Sequence, residues 1–178
     1  MKRIHFIAPF LASGAALQGQ QPIKMTSPAF KNNEKIPLAY VHTHCGGKNE
    51  IPTIQWSQPP SATKTLVLIM DDPNGRDEQG NPWVHWLVFN IPATSVGIDA
   101  TTDLTGLGAI QGRNSWGKNS YGGPCPPIGS GVHNYQFTLY ALDNKLTIAP
   151  TATDAQVREA MQDHVVASSV LIGRYERK

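Results

Sequence analysis

Four side chains in this sequence, Asp72, His85, His133 and Tyr135, have the types and settings to hold an anion. Asp71-Asp72-Pro73-Asn74 closes a strongly apolar run, Thr63 to Met70. His85 interrupts the run Trp83-Val84-His85-Trp86-Leu87-Val88, and a histidine buried among such neighbours needs a hydrogen-bond partner. An aspartate at a neighbouring strand's end is the partner expected, and it would fix the tautomer. His133 and Tyr135 open a further run, where a period of two puts both on one face. Two imidazoles and a phenol offer N–H and O–H donors, and backbone N–H groups of a glycine-rich loop can add a nest. A donor-rich pocket with apolar walls suits a phosphate or carboxylate group.

Other chemistries have weaker signatures. His42, His44 and Cys45 with Cys125 make a rival zinc set, yet no C-x-x-C or H-E-x-x-H is present. A serine hydrolase would want G-x-S-x-G, and the closest stretch, Gly112-Arg113-Asn114-Ser115-Trp116-Gly117, has the wrong spacing. Gly106-Leu107-Gly108-Ala109-Ile110-Gln111-Gly112 misses the dinucleotide fingerprint by one residue, and no Walker A sequence occurs.

These residues need elements to carry them. Runs rich in β-branched and aromatic residues recur between turn signals: Ile23 to Phe30, Ile36 to Val41, Ile51 to Trp56, Thr63 to Met70, Trp83 to Ile91, His133 to Leu142 and Ser168 to Tyr175. One segment has helical period instead, with Val157, Ala160, Met161, His164 and Val165 on a stripe. Thr153 followed by Gln156 reads as the capping box that starts it. His164 on that stripe reads as a satisfied core or boundary histidine. Between Gly97 and Gly131 lie 9 of the 16 glycines, with Pro124, Pro126 and Pro127. A loop that long inside a compact domain is expected to be functional.

The whole chain has 178 residues, of which 40% are apolar and 16% charged. That is too apolar for disorder, and the charge is low against roughly 25% in typical domains. The net charge of +2 comes from scattered Lys and Arg, so no basic stripe for nucleic acid exists. Lys2 and Arg3 precede an apolar run, Ile4 to Leu17, in the order of an export signal; the alternative is an N-terminal arm of the folded domain. We therefore expect residues 1–20 to be signal or arm and 21–178 to form one domain. Removing that segment leaves 13 positive charges against 13 acids. Nothing else approaches the roughly 20 apolar residues of a membrane span. Cys45 and Cys125 form a disulfide if the protein is exported and are two thiols if it is cytoplasmic.

Asp72-Pro73-Asn74, Trp83-Val84-His85-Trp86, Gly122-Gly123-Pro124-Cys125-Pro126-Pro127 and Gly131-Val132-His133-Asn134-Tyr135 occur in this order. Together they resemble the signature segments of the phosphatidylethanolamine-binding protein family, which includes Raf kinase inhibitor protein. Phe89 to Thr94 and Ala109 to Asn114 resemble its bacterial branch. The resemblance implies a mainly β fold: a Greek-key-like β-sandwich with a large central sheet and one or two short flanking helices. It carries the family's anion pocket onto Asp72, His85, His133 and Tyr135, with Trp83, Tyr121, Pro126 and Pro127 as walls. Two departures stand out. Asn74 replaces a second aspartate of the family pattern, and Asn134 replaces an arginine able to pair with it, so the two changes are expected to be linked.

The function so implied is non-enzymatic binding or regulation, with no catalytic residue, cofactor or resident metal. The expected partners are a phosphate-bearing small molecule or lipid head group, a kinase or protease, and a second copy in a homodimer. The alternative is a phosphate-ester hydrolase or zinc enzyme using the same cluster, although no nucleophile is evident. Periplasmic or secreted location is expected, with the cytoplasm as the alternative.

Overall fold

The computed structural model describes residues 22–178, so the expectation of an export signal on residues 1–20 lies outside the described residues. Nine strands run in chain order as β1 (Met25–Thr26), β2 (Glu34–Lys35), β3 (Ile54–Trp56), β4 (Thr65–Arg76), β5 (Pro82–Pro92), β6 (Gly97–Ile98), β7 (Ile110–Gln111), β8 (His133–Leu142) and β9 (Val165–Tyr175). A helix α1 (Asp154–Met161) precedes β9, and 3-10 turns occupy Leu38–Tyr40 and Thr43–Cys45.

Six strands form the large sheet in the order β2-β9-β8-β4-β5-β7, and β1-β3-β6 form a small one. Only the β2–β9 pairing of the large sheet is parallel. Within it, β8-β4-β5-β7 has the spatial order of a Greek key, with the last strand returned beside the first. The mainly β sandwich expected from the sequence is therefore the observed architecture.

The continuous apolar run in β4 has a simple cause: both faces of this central strand are covered. Leu66, Leu68 and Met70 meet the small sheet's Ile54 and Trp56 in the main core. Val67 and Ile69 point the other way, toward Val157 and Met161 of α1. An eight-residue helix is marginal alone, so this packing and its cap must hold it. The capping box is present: the Thr153 hydroxyl accepts from the Gln156 amide while the Gln156 side chain accepts from the Thr153 amide.

Several boundaries move. Ile36 to Val41 is not a strand, because Pro37 lacks an N–H for a ladder and its carbonyl instead starts a 3-10 turn. Of Ile23 to Phe30 only Met25–Thr26 pairs, and Ile51 to Trp56 pairs only over Ile54–Trp56. The helix stops at Met161, and Val165, expected on its stripe, instead opens β9 and is exposed. His164 is a boundary residue bonded to Asp143 through Nδ1, at 2.8 Å.

Candidate functional site

The large sheet brings the four anion-binding candidates to one end. His133 and Tyr135 share the core-facing side of β8, and both are buried. Asp72 lies on the same side of the neighbouring β4. On β5 the pairing slips by one residue between Met70↔Trp86 and Asp71↔Val84, so His85 is the extra residue of a bulge. A bulge re-aims side chains. Here it turns Val84 toward the α1 side, leaving both His85 and Trp86 against the main core. Asp71, one residue before Asp72, falls on the opposite face and is bound by Arg158 of α1 at 3.0 Å.

The expected pairing of His85 with an aspartate does not occur. Its Nδ1 lies 2.7 Å from the carbonyl oxygen of Gly122. A carbonyl can only accept, so Nδ1 carries the proton. Burial pushes the His85 pKa down to about 4, against the pull of the Gly122 bond and of Asp72. The ring is thus neutral near pH 7 and Nε2 is an acceptor, not the donor read from the sequence.

Asp72 serves His133 instead. Its Oδ2 is 2.6 Å from His133 Nδ1, and its Oδ1 accepts from the Asn74 amide at 2.9 Å. His133 Nε2 in turn lies 2.9 Å from the Ser130 hydroxyl, which is also 2.8 Å from the Pro127 carbonyl. Ser130 was not among the sequence candidates. Only its approach to His133 distinguishes it from any loop serine.

Tyr135 has a buried hydroxyl with no hydrogen-bond partner among the described residues. The Cys125 amide lies near it without reaching hydrogen-bond geometry. Burial, reinforced by the Asp72 charge, pushes its pKa well up, so the phenol stays a proton donor. These groups line a cavity of about 580 Å³. Trp83, Pro126 and Pro127 wall it as expected, but Tyr121 does not. Tyr121 is buried behind the wall, where its hydroxyl donates to the Tyr40 carbonyl at 2.8 Å and its ring meets Trp86 edge-on. The missing wall is Trp116, whose ring stands 5.0 Å from His85 and 5.4 Å from Trp83. Gly122 makes room for it, since a Cβ there would strike the indole. Arg76 is the one cationic side chain lining the cavity among the described residues.

The glycine-rich loop is tied to the segment before it. The Asn49 side chain donates to the Tyr121 carbonyl and accepts from the Gly123 amide at 2.7 Å. The Cys45–Cys125 disulfide closes the same junction, with Cα atoms 5.5 Å apart. The zinc alternative therefore loses both thiolates. His42 is also engaged, accepting from the His44 amide and stacking on Trp116.

A family model described as phosphatidylethanolamine-binding protein matches residues 26–176. The chain belongs to the phosphatidylethanolamine-binding protein family. A protein of Methanothermobacter thermautotrophicus named UPF0098 is 41% identical over 158 residues, covering 87% of this chain and 99% of its own. A Mycobacterium tuberculosis relative bearing a lipoprotein name, LppC, is 37% identical over 157 residues, covering 88% of this chain and 73% of its own. The crystal structure of Escherichia coli YbcL, described as a member of the mammalian family, superposes with a TM-score of 0.80 at 31% identity. It covers 89% of this chain and 100% of YbcL.

The two asparagine departures meet only through the main chain of Asn134, so their side chains are not paired with each other. The Asn74 side chain accepts from the Asn134 amide at 3.0 Å, and the Asn134 side chain accepts from Arg174 at 3.2 Å. The Asn74 side chain thus ties β4 to the backbone of β8, while the Asn134 side chain turns to Arg174 of β9.

Proposed function

We propose that this family member is a binding and regulatory protein whose pocket receives a phosphate-bearing small molecule or lipid head group. The observation that carries this reading is the cavity itself, where His85, His133 and the Arg76 side chain come together behind tryptophan and proline walls. Arg76 supplies charge, since the Arg76 guanidinium spends one N–H on the Gly80 carbonyl and keeps others free. The tryptophan and proline walls lower the local polarity and strengthen that contact.

His85 refines the ligand's chemistry. Its Nε2 takes a proton donor, so a phosphate that still carries a P–OH group satisfies it and a fully deprotonated anion does not. Exposed Ile128 and Val132 flank the pocket loop and offer an apolar rim to a protein partner, a kinase or protease by family analogy. The disulfide and the lipoprotein-named relative support a location outside the cytoplasm.

The test is a titration with inorganic phosphate and with phosphoethanolamine, following the imidazole NMR signals. Saturable shifts at His85 and His133 are expected. If neither ring responds to either compound, the anion reading is wrong.

A further inference from the structure

Asp72, His133 and Ser130 stand in a relation that the binding reading does not use. The carboxylate holds Nδ1 of the imidazole at 2.6 Å, and Nε2 faces the serine hydroxyl at 2.9 Å. We propose that Ser130, His133 and Asp72 are a nucleophile, general base and orienting acid that cleave a small carboxylic ester. Such a set is recognised by geometry and roles, whatever the order in the chain.

Each member is placed for its part. The side chains of His133 and Asp72 are 7% and 4% exposed, so their bond is shielded from water. Asp72 is itself fixed by the Asn74 amide, so it can hold the imidazole in one tautomer. Ser130 is exposed at the cavity mouth. It is flanked by Gly129 and Gly131 at φ +77° and +83°, a sharp turn in the loop. Its competing acceptor, the Pro127 carbonyl, is released when the proton goes to His133.

Acyl transfer also needs donors for the oxyanion. The Gly131 amide, next after the serine, has no partner among the described residues, and this is the position that often supplies one donor. The step balances without any further reactant than water. Ser130 Oγ bonds to the acyl carbon while its proton passes to His133 Nε2. The ester C–O bond breaks, and the leaving alkoxide takes that proton. Water then attacks the acyl-serine with the same base, releasing the acid and restoring Ser130.

The tryptophan and proline walls fit a short apolar or aromatic acyl group, and the 580 Å³ cavity limits its size. The activity needs no bound anion, so its failure would leave the phosphate reading untouched.

The test uses the full-length protein with a fluorophosphonate probe and, separately, p-nitrophenyl acetate, in buffer without phosphate. One equivalent of adduct mapping to Ser130 is expected, with slow turnover of the ester. Ser130→Ala should give no adduct while keeping the thermal midpoint. His133→Ala should slow labelling by about 10²–10⁴-fold, the range for loss of a general base. Asp72→Asn, which keeps the size of the side chain, carries the same comparison if His133→Ala does not fold. The proposal is overturned if Ser130 stays unmodified under conditions that fully label a reference serine esterase. Equal labelling in the imidazole or carboxylate variant overturns it as well.

Discussion

Breaking the Cys45–Cys125 bond should lower stability far more than it disturbs the pocket. The bond spans 80 residues of sequence, so it removes a large loop's worth of freedom from the unfolded chain. For a loop of that length the chain-entropy relation gives about 15 cal/mol/K, or about 4.5 kcal/mol at 25 °C. A domain of this size loses roughly 2–4 °C per kcal/mol, so the midpoint should fall by about 9–18 °C. The folded junction has other ties: both Asn49 bonds, and the His42 amide donating to the Pro124 carbonyl at 3.1 Å. The native wall should therefore persist after reduction. The assay is urea and thermal unfolding of the wild type with and without reductant, alongside the Cys45→Ala, Cys125→Ala double variant. Imidazole NMR under native conditions reports on the pocket. A loss below about 1 kcal/mol would refute the entropic account. So would a reduced protein whose His85 and His133 signals collapse before unfolding, since the bond would then be holding native geometry.

Phosphate should bind at least about tenfold more tightly than sulfate, about 1.4 kcal/mol, because only phosphate brings a proton for His85 Nε2; competition calorimetry near pH 6 reads this, and equal affinity would show that His85 is not an acceptor. Gly123→Ala should weaken phosphate binding and cost more than about 2 kcal/mol, because its Cβ would collide with the Tyr40 carbonyl and the His42 amide; urea midpoints and phosphate titration measure both losses. Asp71 has its pKa raised to about 6, chiefly by burial and against the Arg158 charge. The folded state then holds this proton more tightly than the unfolded one, so the contribution of Asp71 to stability is full below pH 4 and declines as pH rises through 6. Asp71→Asn should flatten that part of the stability–pH profile, and a profile unchanged by the substitution would exclude Asp71 as its source.

Much of this protein is set locally. The pattern of β4, β5 and β8 and the capping box of α1 were legible because burial period and cap chemistry act over a few residues. The pairing of the two cysteines follows from the same sequence once export is granted, there being no other cysteine. Short elements were not legible: β2, β6 and β7 are two residues each and exist through their neighbours rather than their own propensity. The end of α1 moved for a similar reason, since β9 claims Val165 by pairing it with Leu142.

The site divides along the same line. Its residue types, Asp72, His85, His133 and Tyr135, came from the sequence because buried polar groups among apolar runs are conspicuous. Who bonds to whom did not, because hydrogen-bond partners lie 37 residues apart for His85 and 61 for His133. The bulge at His85 hands that ring to a backbone carbonyl and makes its free nitrogen an acceptor. The turn at Gly129–Gly131 sets Ser130 on His133, and the loop fold exchanges Tyr121 for Trp116 in the wall. The sequence by itself determined a β-sandwich with an anion-suited set of side chains. Which of them donate, which accept and which face the cavity was decided by the tertiary structure, since proton placement depends on contacts made across strands.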